Sequence, residues 1–532
     1  MSREAKIVVF DGWLETLGGG ERQVLSAASA LRSLGSVRVV SHRPIHWATV
    51  VERAAVDLDG VRFDTLPERP ELSGRQVAGD ADLFVNGTHH SLVDGCGLPS
   101  IRFVYFPAQP ASRTRRMAGR ALRQLGQGLG AACERSGWYG TEVHHGVHYR
   151  QSSGAGRIDV REGAHVRLWL SAMNHAERAY TVETGAGQTL AEGLAGARSD
   201  FAPSPWVEIP RGCGELVVHS AASVGSNQRE SRLLGLALGS IEEQGPPARR
   251  LFQRATRRLA PALGACAADD RANQYARALR SYGAVTPNSH FTASWLRRRW
   301  GVSGPVIEPP VVADAQRQET RQPLIVSIGR FFVGSHNKKH LAMVRAFRTL
   351  CDRGLVGWRL ALVGGVGQRP ADSAYLRTVQ QAAHGLPIDF YANADEATVN
   401  RLRTNAAIGW HATGFGESER RTPERFEHFG MAVAELMTSG AVPVVFDGGG
   451  LREIVQPGRS GFRWRTLDEL ADLTLALARN GRCRLEMAQA ARRRATRWSL
   501  ANYQRRIMGL ALEVMDGNRN RAGAAEAWSQ FN

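Results

Sequence analysis

The hydrophobic period of this chain changes twice, and that change constrains its fold more than any other feature. The first stretch alternates apolar runs with helical patterns. Ile7-Val8-Val9-Phe10 is an unbroken apolar run, Gly18-Gly19-Gly20-Glu21-Arg22 a Gly-rich turn, and Val24 to Leu31 a helix. Val37 to Val40, Asp82-Leu83-Phe84-Val85 and Ile101 to Phe106 read as further strands, the last stopped by Pro107. This is a βαβ pattern with parallel strands. From Trp138 to Glu243 the period becomes two, as in Val166-Arg167-Leu168-Trp169-Leu170 and Trp206-Val207-Glu208-Ile209, with Gly, Ser, Asn and Pro between the runs. Such a stretch predicts an antiparallel β-sandwich inserted into the α/β unit. Helical sequence resumes near Arg249, Glu308-Pro309-Pro310-Val311 reads as a linker, and a second βα series follows through Leu324–Ile328, Leu360–Val363, Ile388–Phe390, Ala406–Trp410 and Val442–Phe446. The division is therefore 1–136 and 245–311 for the first α/β domain, 137–244 for the insertion and 312–482 for the second domain. Residues 483–515 are helical and basic, and the polar tail 516–532 is expected to be disordered.

With 532 residues the chain is too long for one core. No apolar run reaches membrane-spanning length, and Met1-Ser2-Arg3-Glu4-Ala5-Lys6 lacks the apolar segment of a signal peptide. Cys96, Cys133, Cys213, Cys266, Cys351 and Cys483 are scattered without a Cys-x-x-Cys, which predicts reduced thiols and a cytoplasmic protein. The net charge of +18 comes mostly from Arg. Two amphipathic stretches, 113–125 and 249–263, concentrate it, and a basic amphipathic helix reads either as a membrane-surface element or as an ordinary surface helix. An anionic membrane is thus a candidate partner. Nucleic acid is not expected, because no basic strand interleaved with aromatics is present. No metal is expected either. Asp57-Leu58-Asp59 and Asp80-Ala81-Asp82 are strings of a length that chance supplies, and His144, His145 and His148 read as hairpin surface.

The chemistry is concentrated in Glu427-His428-Phe429-Gly430-Met431-Ala432-Val433-Ala434-Glu435. Two carboxylates eight positions apart would lie about 12 Å from one another if the whole stretch were helical, a spacing that can span a nucleotide-sugar. Phe429 and Gly430 would open that helix and turn backbone N–H groups toward a diphosphate. Two solvated acids on an amphipathic helix would look the same in isolation. The sequel decides: a Gly440 stop, the buried run Val442 to Val445, the turn Asp447-Gly448-Gly449-Gly450, and a helix with Glu453 in its first turn.

These residues resemble the retaining GT-B glycosyltransferases of family 4, over residues 1–135, 247–311 and 312–500. Glu427 and Glu435 meet the Glu-x7-Glu signature, and Glu427-His428-Phe429-Gly430 is most similar to the Alg11-type mannosyltransferase branch. The resemblance implies two Rossmann-like domains facing a cleft, with Glu427 on donor-sugar hydroxyls and Glu435 on the ribose. Ser327-Ile328-Gly329-Arg330 followed by Lys338-Lys339-His340 resembles the family's diphosphate clamp; counting back from Ala346-Phe347 selects Lys338. An Arg after a strand and a Lys at the next helix start neutralise a leaving diphosphate. Gly364-Gly365 matches the strand–Gly–Gly turn near the base, and Gly449, Gly450 and Glu453 match the turn beside the donor. Asn288-Ser289-His290-Phe291-Thr292 resembles the helix start before the linker, and Gly18-Gly19-Gly20 the loop that approaches sugar and diphosphate. One departure is clear: Tyr105-Phe106-Pro107 puts Tyr105 where the family often has His, and Tyr is a poor base at neutral pH. His411 lies just before the donor motif and reads as a donor contact or a structural histidine.

The resemblance therefore implies a metal-independent retaining hexosyltransferase without a cofactor. It would move sugar, mannose being one candidate, from a nucleotide-diphosphate sugar to a lipid-linked or cell-surface glycan. Its expected place is the cytoplasm, peripheral on the inner face of the membrane. The competing reading is a glycan-binding protein that uses the sandwich on a degenerate scaffold.

Overall fold

The computed structural model describes residues 4–45, 50, 56–70, 72–110, 132–140, 142–144, 147–173, 177–196, 200–224, 231–244, 251, 272–311, 321–367 and 369–529. The apolar runs of the first unit form β1 (Ala5–Phe10), β2 (Gly35–Ser41), β3 (Arg62–Thr65), β4 (Leu83–Asn86) and β5 (Ser100–Val104). β4 and β5 are buried at every residue, as a parallel sheet covered by helices on both faces requires.

Between β5 and the last strand of that sheet comes the insertion. Its strands are β6 (Cys133–Glu134), β7 (Glu142–His144), β8 (Val147–Gln151), β9 (Ala155–Asp159), β10 (His165–Ser171), β11 (Arg178–Thr184), β12 (Thr189–Ala195), β13 (Ala202–Pro203), β14 (Val207–Glu208), β15 (Glu215–Ser220), β16 (Ser223–Val224), β17 (Leu233–Leu234) and β18 (Ala237–Gln244). One antiparallel sheet runs β13-β10-β18-β8-β7, with β14 also on β10, and the other runs β12-β11-β15-β9-β6. Their inner faces share one core that includes Trp138, Ile158, Leu168, Val182, Leu216 and Leu238. The sandwich begins at Cys133 rather than at 137.

β19 (Ala284–Pro287) then joins the first sheet, giving the parallel order β19-β5-β4-β1-β2-β3. The second unit repeats the plan with β20 (Leu324–Ile328), β21 (Arg359–Gly364), β22 (Ile388–Ala392), β23 (Ile408–His411), β24 (Val442–Phe446) and β25 (Phe462–Trp464), in the parallel order β22-β21-β20-β23-β24-β25. Both are Rossmann orders. In each the connection reverses beside the first strand, between β1 and β4 and between β20 and β23, and the crevice opens at the carboxyl ends there.

The C-terminus does not form a helical unit of its own. The helix Leu500–Ser529 returns to the first domain, where Tyr503, Ile507, Leu510 and Ala511 are buried with Val24, Leu25 and Leu31. The Tyr503 hydroxyl donates to the Gln23 carbonyl at 3.0 Å. Its backbone stays helical past Asp516, where a disordered tail was expected; Ala522, Ala524, Ala525 and Ala527, strong helix formers, lie in this segment. The basic stretches 113–125 and 249–263 lie outside the described residues, apart from Leu251, as do His145 and Cys266. Among the described residues the cysteines are free, no His/Cys/Asp/Glu group is arranged for a metal, and no helix is long and apolar enough to cross a membrane.

Candidate active site

The second sheet's switch point delivers two groups to one carboxylate. His411 is the last residue of β23, and Lys338 lies in the loop after β20. Lys338 Nζ sits 2.6 Å and His411 Nε2 3.0 Å from Glu427 Oε2. His411 Nδ1 has no partner among the described residues, so Nε2 carries the proton that Glu427 accepts. Burial drives the His411 pKa down and keeps the imidazole neutral. Burial opposes ionisation of Glu427 as well, but Lys338, then the His411 hydrogen bond, outweigh it and hold the carboxyl well below its ordinary range. The site is a desolvated anion with one ammonium and one neutral imidazole on it. Lys339 points elsewhere, its Nζ 2.6 Å from Glu417 Oε1, so the geometry agrees with the choice of Lys338.

Local backbone explains why Glu427 is placed so exactingly. Gly430 caps the helix Met431–Ser439 at φ 110°, a region closed to L side chains, and a Cβ there would lie 2.8 Å from Leu451 Cδ2. The Gly-rich turn packs on the same segment: Gly450 N–H donates to the Glu427 carbonyl at 2.8 Å, and a Cβ on Gly450 would lie 2.2 Å from the His428 carbonyl oxygen. Gly364 is likewise pressed against the Gly329 carbonyl, next to Arg330, while Gly365 is open. Arg330 is exposed and stacks over Phe332 at 5.1 Å.

The first domain meets this motif face to face. Gly19 lies against Met431, and Gly20 against the Tyr105 ring. The Tyr105 hydroxyl donates to the Gly20 carbonyl at 3.1 Å; burial, then the carboxylates Asp11 and Glu21, push its pKa far up, so Tyr105 serves as a donor and not as a base. Asp11, just past β1, is pushed up to about 8 by burial and by Glu21. Ser289 Oγ donates to the His428 carbonyl at 2.6 Å, and the His428 ring stacks on Phe106 at 4.1 Å.

Three expected donor contacts are otherwise engaged. Phe429 contributes its ring to the core, edge-on to Trp498 at 5.7 Å. Glu435 is buried, with Oε1 2.8 Å from Arg22 Nη2 across the cleft and Oε2 3.7 Å from Arg403 Nη1, so Arg22 occupies the carboxylate expected for ribose. Glu453 accepts from the backbone N–H groups of His290 and Phe291 at 2.9 and 2.6 Å and ties down the start of the helix His290–Trp300. It lines a cavity of about 210 Å³ with His290, Glu308, Phe429, Arg497 and Trp498, at the linker rather than in the cleft.

Two histidines were missed. His336, in the long loop after Arg330, hydrogen-bonds His428 through Nε2 at 2.9 Å. His89 follows β4, at the first sheet's switch point, stacks on His90 at 3.8 Å and lies 6.1 Å from Tyr105. An imidazole therefore stands next to the Tyr that replaces the expected His. The signal was available: His89 and His90 lie in the Gly87-Thr88-His89-His90 turn that follows the strand ending at Asn86.

Residues 313–494 match the family "Glycosyl transferases group 1". Over 246 residues, 42% of this chain and 46% of the relative, the chain is 26% identical to the GDP-Man:Man(3)GlcNAc(2)-PP-Dol alpha-1,2-mannosyltransferase of Dictyostelium discoideum. Identity to the Homo sapiens enzyme of that name is 24% over 243 residues, 41% of this chain and 46% of that one. The chain thus spans less than half the length of the curated relatives it matches. Among solved structures, Anabaena HepE in complex with UDP and glucose superposes with a TM-score of 0.50 at 13% identity, covering 95% of this chain and 98% of that one. A glycosyltransferase from Rickettsia africae superposes with a TM-score of 0.50 at 11% identity, covering 96% and 99%. At such identities these likenesses establish the fold, which is GT-B.

Proposed function

Residues 313–494 are a glycosyl transferases group 1 domain on a GT-B fold, and from that premise we propose that the chain transfers a hexose from a nucleotide-diphosphate sugar to a lipid-linked glycan, with retention. The observation that carries this reading is the buried Glu427 with Lys338 and His411 upon it, at the switch point and facing the cleft. A degenerate binding scaffold has no need to hold an ionised carboxylate out of water, and the competing glycan-binder reading gives no reason for it. GDP-mannose is the donor the reading favours, by analogy with the named relatives.

In this mechanism Glu427 accepts from donor-sugar hydroxyls and so fixes the sugar. Lys338 and Arg330 compensate the charge that develops on the departing diphosphate. Arg22 leaves Glu435 when ribose arrives, which couples donor binding to the contact between the domains. Catalysis rests on positioning and on stabilising the leaving group, with no metal and no cofactor assigned. Hinge motion falls at Pro309-Pro310, where Glu308 is held by Arg497 and Arg506. A peripheral place on an anionic membrane suits the net charge of +18 and a lipid-linked acceptor.

The test is thermal stabilisation and sugar hydrolysis across UDP-, GDP-, ADP- and dTDP-sugars, with Glu427→Ala as control. GDP-mannose should give a selective shift that the variant loses. If no nucleotide-sugar shifts the wild type, the transferase reading is wrong.

A further inference from the structure

One outer face of the sandwich carries a row of aromatic rings for which the transferase chemistry has no use. Side chains alternate along β10: Val166, Leu168 and Leu170 enter the core, so Arg167 and Trp169 point outward. Across the ladder Trp169 faces Ser240 and Arg167 faces Glu242 on β18. Trp206, immediately before β14, stands over the same patch. The Arg167 guanidinium lies 4.7 Å from the centre of the Trp206 ring and 5.8 Å from that of Trp169, with Nη2 2.5 Å from Glu242 Oε2. Farther along the face Phe201 covers Gly239 and meets Tyr149 at 5.9 Å. Trp206 is 39% exposed and belongs to no core cluster. The indole thus stands beside the core with the Arg167 guanidinium against it and part of its ring open to solvent.

The chemistry of the patch matches a sugar. A pyranose presents a face of C–H bonds and a belt of hydroxyls. The indole of Trp206 complements the first, and the guanidinium–carboxylate pair beside it offers donors and acceptors in one plane to the second. Because Arg167 and Glu242 neutralise each other, the patch favours an uncharged saccharide over an anion.

Its position in the molecule matters too. Glu68, just beyond the carboxyl end of β3, exchanges backbone hydrogen bonds with the sandwich: Glu68 N–H to the Ser231 carbonyl at 2.9 Å and Leu233 N–H to the Glu68 carbonyl at 3.1 Å. The Tyr139 hydroxyl donates to the Glu68 carbonyl at 2.7 Å. The carboxyl ends of that sheet face the cleft, so the sandwich is fastened to the first domain's rim of the cleft.

We infer that the Trp206–Arg167–Glu242–Trp169 face is a saccharide-binding site that holds a neutral stretch of glycan while the end to be extended lies in the cleft. That the glycan is the acceptor's own rests on the transferase reading; the binding itself does not.

The full chain is titrated with α-mannooligosaccharides, chitooligosaccharides and β-1,4-glucan oligomers, by calorimetry and tryptophan fluorescence. At least one series should bind saturably. Trp206→Ala and Arg167→Ala should each weaken it roughly tenfold, the loss of one stacked contact, while Trp206→Phe keeps most of it. Nucleotide-sugar hydrolysis and circular dichroism should be unchanged in Trp206→Ala. Glu427→Ala should do the reverse, losing hydrolysis and keeping saccharide binding, so the two readings fail separately. Absence of saturable binding by the wild type overturns the site, as does binding that neither Trp206→Ala nor Arg167→Ala weakens. A change in sedimentation mass in Trp206→Ala also overturns it, by making the face a contact between copies of the chain.

Discussion

Acidification from pH 7 to pH 5 should remove much of this protein's stability, because its interior holds imidazoles that folding keeps uncharged. Burial is the first cause for each: His89 is pushed down to about 3, His336 to about 4 and His340 to about 3. His90 and Arg102 add to the effect at His89; at His336, Lys338 and Arg330 add while Glu427 pulls the other way. An unfolded histidine titrates near 6.5. The unfolded chain therefore takes up protons that the folded one refuses. Stability is complete above about pH 6.5 and falls as the pH drops from there toward 4. At pH 5 an unfolded imidazole is about 97% charged, so each of the three costs about 2 kcal/mol relative to pH 7. Together they cost about 6 kcal/mol, of which Asp11, kept protonated by the burial that pushes its carboxyl up to about 8, offsets about 2.5 kcal/mol; the net loss of about 3.5 kcal/mol stands against the roughly 5–15 kcal/mol that holds a domain together. Glu427 gives no relief in this window, since a depressed carboxyl keeps its contribution until the pH falls through its own low value. Urea unfolding at pH 7, 6 and 5, followed by circular dichroism, measures the slope, and His336→Asn should reduce it by about one proton. A free energy of unfolding that changes by less than about 1 kcal/mol between pH 7 and 5 would refute the reasoning.

Two substitutions test the geometry around Glu427. Lys338→Met should cut transfer by about a hundredfold or more by removing the charge beside the leaving group, whereas Lys339→Met, which loses only its Glu417 pair, should stay within about tenfold; equal losses in steady-state transfer assays would mean that the clamp is misassigned. Gly430→Ala forces a side chain to φ 110° and against Leu451, so the melting temperature should fall by several degrees and transfer should drop with it, because Glu427 is three residues away; an unchanged melting temperature by scanning calorimetry counts against a rigid cap.

Both Rossmann units were legible because parallel strands buried on two faces leave unbroken apolar runs, as in Val8-Val9-Phe10 and Ile325-Val326. The sandwich was legible from its period of two. Its strand β12 was not, because Thr189, Glu192 and Leu194 face solvent and leave no alternation to read. Glu427 and Lys338 could be found because each belongs to a local pattern of strand end, glycine and helix start. What the local pattern could not announce was always a partner on another element. Glu435 has the right spacing for ribose, but nothing near it in sequence announces Arg22; Glu453 has the right helix turn, but its donors are the N–H groups of His290 and Phe291.

The helix Leu500–Ser529 shows the same limit, for an amphipathic stripe announces that Tyr503 and Ile507 will be buried without saying in which domain. Its answer bears on function. A chain end that leaves the second domain and locks into the first makes a second covalent crossing beside the Pro309-Pro310 linker, with Glu308 held by Arg497 and Arg506 between them. In the proposed transferase, two crossings side by side would leave rotation about one shared axis as the easy motion, next to the cavity lined by Glu453 and Trp498. On the transferase reading, closure on a nucleotide-sugar would make and break the contacts between the domains, Arg22 with Glu435 and Phe106 with His428, while Glu308 stays with Arg497 and Arg506.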